Sequence, residues 1–253
     1  MNDDVPSTTP TGQAKTGSSP ATAAERAVAM LLVGLGLAGL ADLAAMLAWG
    51  RNDAAVGKDS ARSIDVLLLL AFGLQHSGMA RECWTRWLSP RWERAIYVAA
   101  SGVVSILLAR GWHPLPGAEW WAVSQPWNVV LLVLRGTASI GMALCTLRMD
   151  LADFLGLRAF WPMVEGGADV LDVSGPYRFV RHPLMAFFLL FLWARPEMSA
   201  TDGWLAAGLT AYVLLGICLE ERSLRRQFGD AYDAYRRCTP MLIPWFVREP
   251  STK

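Results

Sequence analysis

Charge is scarce along much of this chain. Asp, Glu, Lys and Arg make up 18% of its 253 residues, against about 25% in a typical soluble domain. Several long blocks hold almost none of it. That distribution excludes an ordinary soluble globule. A surplus of either sign is also lacking. The formal net charge is +1, so the concentrated basic face that nucleic acid requires is not provided. The cysteines are few and scattered: Cys83, Cys145, Cys218 and Cys238, without a CxxC pair or a Cys/His cluster. Neither a metal site nor a disulfide framework is indicated. Residues 1–24 almost lack large apolar side chains and are rich in Ser, Thr, Pro, Gly and Ala. Such a segment buries too little surface to offset its ordering entropy, and it is expected to be a disordered cytoplasmic tail rather than a cleavable signal peptide.

What the chain does have is apolar blocks, 53% of its residues being hydrophobic. They run over about 27–49, 64–80, 95–110, 127–147, 183–195 and 203–219. Spanning a bilayer takes ~20 helical residues, which the first and fourth meet outright. The last two are short and read as a helical hairpin that turns between Arg195-Pro196-Glu197 and Asp202-Gly203. The expected fold is all-α: a polytopic integral membrane helix bundle of five to six spans over 25–253, its last two spans a hairpin, with a cytoplasmic C-terminal helix. Arginines crowd 81–94, 148–182 and the tail after 221, whereas 111–126 has no Lys or Arg. The positive-inside rule puts the three basic segments in the cytoplasm. The loop 51–63, with Arg51, Lys58 and Arg62, dissents. Trp49, Trp112, Trp127, Trp193 and Trp204 stand at block edges, where an interfacial aromatic belt belongs.

Several signals have two readings. Gly34-x-Gly36-x-x-Gly39 matches a dinucleotide fingerprint but lies inside one apolar run. Without a strand before it, close helix packing is the better reading. Asp42 and Arg135 are charges within apolar blocks. They are expected to pair with each other, the alternative being a transport role. Gln75-His76-Ser77 ends the second block as either an interfacial group or a functional one. Gly175-Pro176-Tyr177-Arg178-Phe179-Val180-Arg181-His182-Pro183-Leu184-Met185 is denser. Pro183 suits the first position of a helix. Two arginines and a histidine at that helix's positive end make an anion-binding arrangement or, more blandly, a basic anchor. Glu220-Glu221 closes the last block. An i,i+4 pair of Glu221 with Arg225 would explain it as surface. The hairpin, however, returns Glu220 to the membrane face of His182, and Phe228, Tyr232 and Tyr235 follow closely enough to cover a shared site.

Those residues carry a resemblance. GPYRFVRHPLM, followed by LEERSLRRQFGDAYDAYRRCTPMLIPW, is similar to the isoprenylcysteine carboxyl methyltransferase and phospholipid methyltransferase superfamily over about 174–245. QHSGMAR at 75–81, DFLGLR at 153–158 and WARPEM at 193–198 resemble its nurim-like branch, which includes the bacterial methanethiol S-methyltransferases. The resemblance implies an S-adenosylmethionine-dependent enzyme in a bacterial-type inner membrane, its site facing the cytoplasm, that methylates a small volatile thiol, most simply methanethiol to dimethyl sulfide. Its cofactor module is 174–245. Beyond the lipid bilayer it implies no obligate protein partner. Tyr177, His182, Pro183, Leu184 and Met185 then line the cofactor pocket, and Glu220 holds the cofactor's amino group. Arg181 and Glu221 position or polarise groups beside the sulfur. His76 or Glu221 is the base. The alternatives are a lipid, an isoprenylcysteine or another thiol as acceptor, or a non-enzymatic nurim-like membrane protein.

Overall fold

A computed structural model describes residues 20–50, 58–79, 84, 86–115, 119–161 and 171–244. Most of the tail 1–24, the basic positions Arg51 and Arg81, and Cys83 lie outside these residues. The first helix, α1 (Ala23–Trp49), starts where a capping box fixes it. The Glu25 amide donates to Thr22 Oγ1 at 3.2 Å, and the Thr22 amide donates to the Glu25 carboxylate at 2.7 Å. This satisfies two N–H groups that a helix start leaves over.

Next come α2 (Lys58–Met79), α3 (Pro90–Gly111), the short strand β1 (Trp121–Ala122) and α4 (Trp127–Leu147). After the single turn α5 (Leu151–Phe154) and a 3-10 turn at Gly175–Arg178 the chain forms α6 (Pro183–Trp193), β2 (Glu197–Met198), α7 (Ala200–Phe228) and α8 (Asp230–Cys238). Four of these helices, α1, α3, α4 and α7, are long and apolar enough to cross a membrane, and α6 is apolar but shorter. Outward-facing Leu31, Leu74, Val133 and Leu215 are largely exposed, as lipid-facing side chains must be. The chain is therefore a polytopic membrane helix bundle.

Packing follows the small residues. α1 and α3 run parallel: Glu25 meets Arg91, Gly36 meets Val98 and Asp42 meets Arg110. At the crossing, Gly36, Gly39 and Gly102 approach so closely that a Cβ on any of them would strike the facing backbone. The glycine motif thus serves helix packing. α2 runs antiparallel to α3, pinned by Gln75 to Ser101 at one end and Asp65 to His113 at the other. α6 and α7 form the expected hairpin. Its turn is tied to the segment before α4 by the pairs Trp121 with Met198 and Ala122 with Glu197.

Two expectations are corrected. Asp42 and Arg135 do not pair with each other. Asp42 accepts from Arg110 at 2.8 Å, because α1 lies on α3, whereas α4 lies on α6 with Gly141 against Phe187. Arg135 instead donates to the Leu47 carbonyl at 2.6 Å and sits 4.1 Å over the Phe191 ring. Arg195 reaches the same carbonyl at 2.9 Å. Two cations thus cap the negative end of α1. Trp112 is no belt residue: it is 1% exposed, packed with Leu43, Leu108, Leu205 and Leu209.

Candidate functional site

The site is built where the two motifs that flank the hairpin in the chain meet. Gly175 turns the chain with a φ of 56°, a left-handed conformation that glycine adopts without strain. Asp172 braces the turn by accepting from the Ser174 amide at 2.9 Å, while Arg148 donates to Ser174 Oγ at 2.7 Å. The hydrogen bonds from Ser174 hold the Asp172 carboxyl below its ordinary range. The 3-10 turn then delivers Tyr177. His182 becomes the cap residue of α6, with Pro183 at its first position. The amides of Leu184 and Met185, in the first turn, are outside the helix's own hydrogen-bond ladder and leave that end partly positive.

α7 brings back the two acids. His182 sits between them: Nδ1 is 3.5 Å from a Glu220 oxygen and Nε2 is 3.4 Å from a Glu221 oxygen. Their environments differ sharply. Glu221 is 13% exposed and ion-paired to Arg181 at 2.6 Å, with Arg236 at 3.3 Å. Glu220 is 46% exposed and open on one side. The surface pair of Glu221 with Arg225 does not form, because Arg225 is engaged by Asp233 at 3.0 Å.

The segment after α8 closes the floor. Arg181 Nη1 donates to the Thr239 carbonyl at 2.5 Å. The amides of Arg181 and His182 donate to the carbonyls of Pro240 and Met241 at 2.8 and 3.1 Å. The Tyr235 hydroxyl donates to the Tyr177 carbonyl at 2.5 Å, and the buried Tyr232 packs edge-on against Tyr235. Burial pushes the phenols of Tyr232 and Tyr235 up to about 12, and that of Tyr177 upward. Phe228 ends α7, half-buried.

His76 lies in a separate layer. The Tyr97 hydroxyl is 3.1 Å from its Nε2, and Ser101 Oγ is 3.3 Å from its Nδ1. Phe72 stacks on the ring. Among the described residues no hydrogen bond or ion pair joins His76 to His182, Glu220 or Glu221. α2 runs parallel to α7, since Leu69 meets Gly208 and Gly73 meets Tyr212 four residues on. His76 is therefore level with Leu215. Five residues of helix, about 7–8 Å at ~1.5 Å per residue, separate it from the level of Glu220.

One end of the bundle thus gathers Tyr177, Arg181, His182, Pro183, Leu184, Met185, Glu220 and Glu221, with His76 one layer deeper. The sequence reading missed Arg236 and the Thr239–Met241 strap. Pro240, just after a helical run, was the available signal. It also missed Tyr97 and Ser101, a polar i,i+4 stripe inside an apolar block.

Comparison with known proteins bears on this arrangement. No family model matches the chain, and no solved structure matches it. Among curated proteins it is 35% identical over 195 residues to methanethiol S-methyltransferase 2 of Bradyrhizobium diazoefficiens, covering 72% of each chain. To the methanethiol S-methyltransferase of Mycobacterium tuberculosis it is 36% identical over 193 residues, 72% of this chain and 78% of the relative. To nurim of Sus scrofa it is 30% identical over 175 residues, covering 64% and 67%.

Proposed function

The chain belongs to the methanethiol S-methyltransferase family, and from that premise we propose that it is an enzyme transferring a methyl group from S-adenosylmethionine to methanethiol, giving dimethyl sulfide. Its site opens toward the cytoplasmic face of an inner membrane. The observation that supports this best is the approach of His182 to Glu220, 3.5 Å apart although they come from opposite ends of a membrane hairpin.

The residues fit a donor that is an amino acid at one end and a sulfonium in the middle. The start of α6, with the Leu184 and Met185 amides and His182 beside them, suits a carboxylate. Glu220, the more open of the two acids, suits an ammonium group. Tyr177 and Pro183 supply apolar walls. When bound, S-adenosylmethionine supplies an electrophilic methyl group on a positively charged sulfur.

The chain's own residues then have distinct tasks. Glu221 is neutralised by Arg181 and Arg236, so it positions His182. Arg181 positions the strap that backs the cofactor side of the site. His76 takes the proton of the thiol. With the donor bound, the thiolate sulfur would form the new carbon–sulfur bond as the methyl–sulfonium bond breaks, leaving two neutral thioethers, dimethyl sulfide and the demethylated donor. A charge-quenching step of this kind gains from surroundings of low polarity. Fixing both partners in line contributes up to ~7–11 kcal/mol.

The test uses membranes carrying the full chain, supplied with S-adenosylmethionine and methanethiol. Dimethyl sulfide in the headspace, absent without the donor, is the expected result. Intact donor binding with no dimethyl sulfide overturns the acceptor assignment.

A further inference from the structure

We propose that an open recess beside Gly216 receives the alkyl group of the thiol and limits its length, and that the shelf formed by Gln75, His76, Tyr97 and Tyr212 is the wall against which the acceptor lies. This rests on the methyl-transfer reading above.

The argument starts from the inner stripe of α7. Leu209, Val213, Gly216 and Glu220 recur at helical spacing on one face. Leu209 and Val213 are buried in the bundle. Past Val213 the core continues through the fully buried Ile217, while Gly216 and Glu220 beside it stand open. Among the described residues a Cβ built on Gly216 meets nothing within 4 Å, and Glu220 is half-exposed. Open positions beside a core that continues mark a recess that starts at Gly216 and leads to the His182–Glu220 pair.

The other wall is set by the parallel run of α2 beside α7. Tyr212, one turn before Gly216, packs on Gly73 and lies 3.3 Å from Ser77 Oγ. Level with Gly216 are therefore residues 76 and 77. This places the His76 ring, with the Tyr97 hydroxyl 3.1 Å away, at the depth of the recess. A further observation points to a ligand. The buried Oε1 of Gln75 has no hydrogen-bond partner among the described residues, although the amide nitrogen of the same side chain is engaged by Ser101 and Met79. A buried acceptor left unmatched is costly, and a thiol S–H is a weak donor that suits it.

The recess is flanked by a proton acceptor on the membrane side and a cofactor-binding acid on the other. A molecule lying between them has its sulfur directed at the methyl donor and its alkyl tail along Gly216. Glycine there leaves space for the tail, and any side chain takes that space away.

The experiment compares wild type, Gly216→Ala and Gly216→Leu in membranes, with methanethiol, ethanethiol and 1-butanethiol as acceptors. Binding of radiolabelled S-adenosylmethionine is measured in parallel, and Gly34→Leu, also without a neighbour among the described residues, serves as control. Gly216→Ala is expected to lower kcat/KM for the longer thiols relative to methanethiol by at least ~10-fold, the discrimination that one methylene in a pocket provides. Gly216→Leu abolishes methylation of every thiol while donor affinity is kept. Unchanged acceptor ratios in Gly216→Ala together with an active Gly216→Leu overturn the recess. Loss of donor affinity in Gly216→Leu, with unaltered ratios in Gly216→Ala, overturns it as well. A wild type inactive on all three thiols defeats the methyl-transfer reading itself. An active wild type with indifferent Gly216 variants defeats only this inference.

Discussion

At the scale of single residues, burial separates the two acids that the sequence presents side by side. Glu221 has two arginine partners in a nearly closed setting, and Arg181 is only 9% exposed. Removing one partner of a buried pair leaves the other charge uncompensated, at a cost of about 3–5 kcal/mol. Arg181→Ala should therefore strip the Thr239–Met241 strap from the site and lower the melting temperature in detergent sharply. Arg225→Ala breaks an exposed pair with Asp233, worth about 0–1 kcal/mol, and should melt almost like wild type. Equal melting of the two variants would show that the Arg181 pair contributes no more than a surface contact. The sequence could not make this distinction. It names the acids and the arginines but not which oxygen faces which guanidinium. The Asp42–Arg135 expectation failed for the same reason. Both charges do find partners, but helix neighbours decide which, and apolar periodicity carries no information about neighbours.

At the scale of elements, the helices were largely legible because the bilayer imposes their length and composition. The hairpin was legible too, from Arg195-Pro196 and Asp202-Gly203 punctuating two apolar runs. The continuation of α7 through the charged residues to Phe228 was not, because it is held by tertiary contacts with α8 and the strap. The crossing of α1 and α3 depends on glycine at 36, 39 and 102. Gly39→Leu should overpack it and cost about 1–3 kcal/mol, whereas Gly34→Ala, which meets nothing among the described residues, should be neutral or gain the ~0.5–1 kcal/mol that alanine has over glycine in a helix. Thermal melting of both variants checks this, and a Gly39→Leu protein as stable as wild type would contradict it.

α8 has its own signature. Tyr232 and Tyr235 are raised by burial to about 12, above the ordinary value of about 10. Their neutral forms are favoured by folding, so the stability they contribute is fully present below pH 10 and is lost as the pH rises from 10 to 12. Protection of the amides over residues 230–244, the exchange rate taken relative to the base-catalysed intrinsic rate at each pH, should fall across that window, in step with the tyrosinate absorption band. Protection that stays constant from pH 9 to 12 would show that these phenols do not hold α8 down.

At the scale of the whole molecule, the alternation of helix directions puts the start of α6, the acids of α7 and the His76 end of α2 at one end of the bundle. Distant segments of chain thereby bring charged groups, His182, Glu220 and Glu221, and the mostly apolar surroundings of His76 to one end of the bundle. The motif spacing made the pairing of His182 with Glu220 legible, since an out-and-back hairpin has few ways to close. The position of His76 was not legible, because it depends on the register of α2 against α7, which only side-chain packing sets. The most direct test is donor affinity. Radiolabelled S-adenosylmethionine is bound to purified, folded wild type, His182→Ala and Glu220→Ala in detergent. The account predicts that both variants lose affinity by at least ~10-fold, the loss of a charge-assisted contact worth about 1.5–3 kcal/mol, while their melting curves remain cooperative. Wild-type affinity in either folded variant would contradict it.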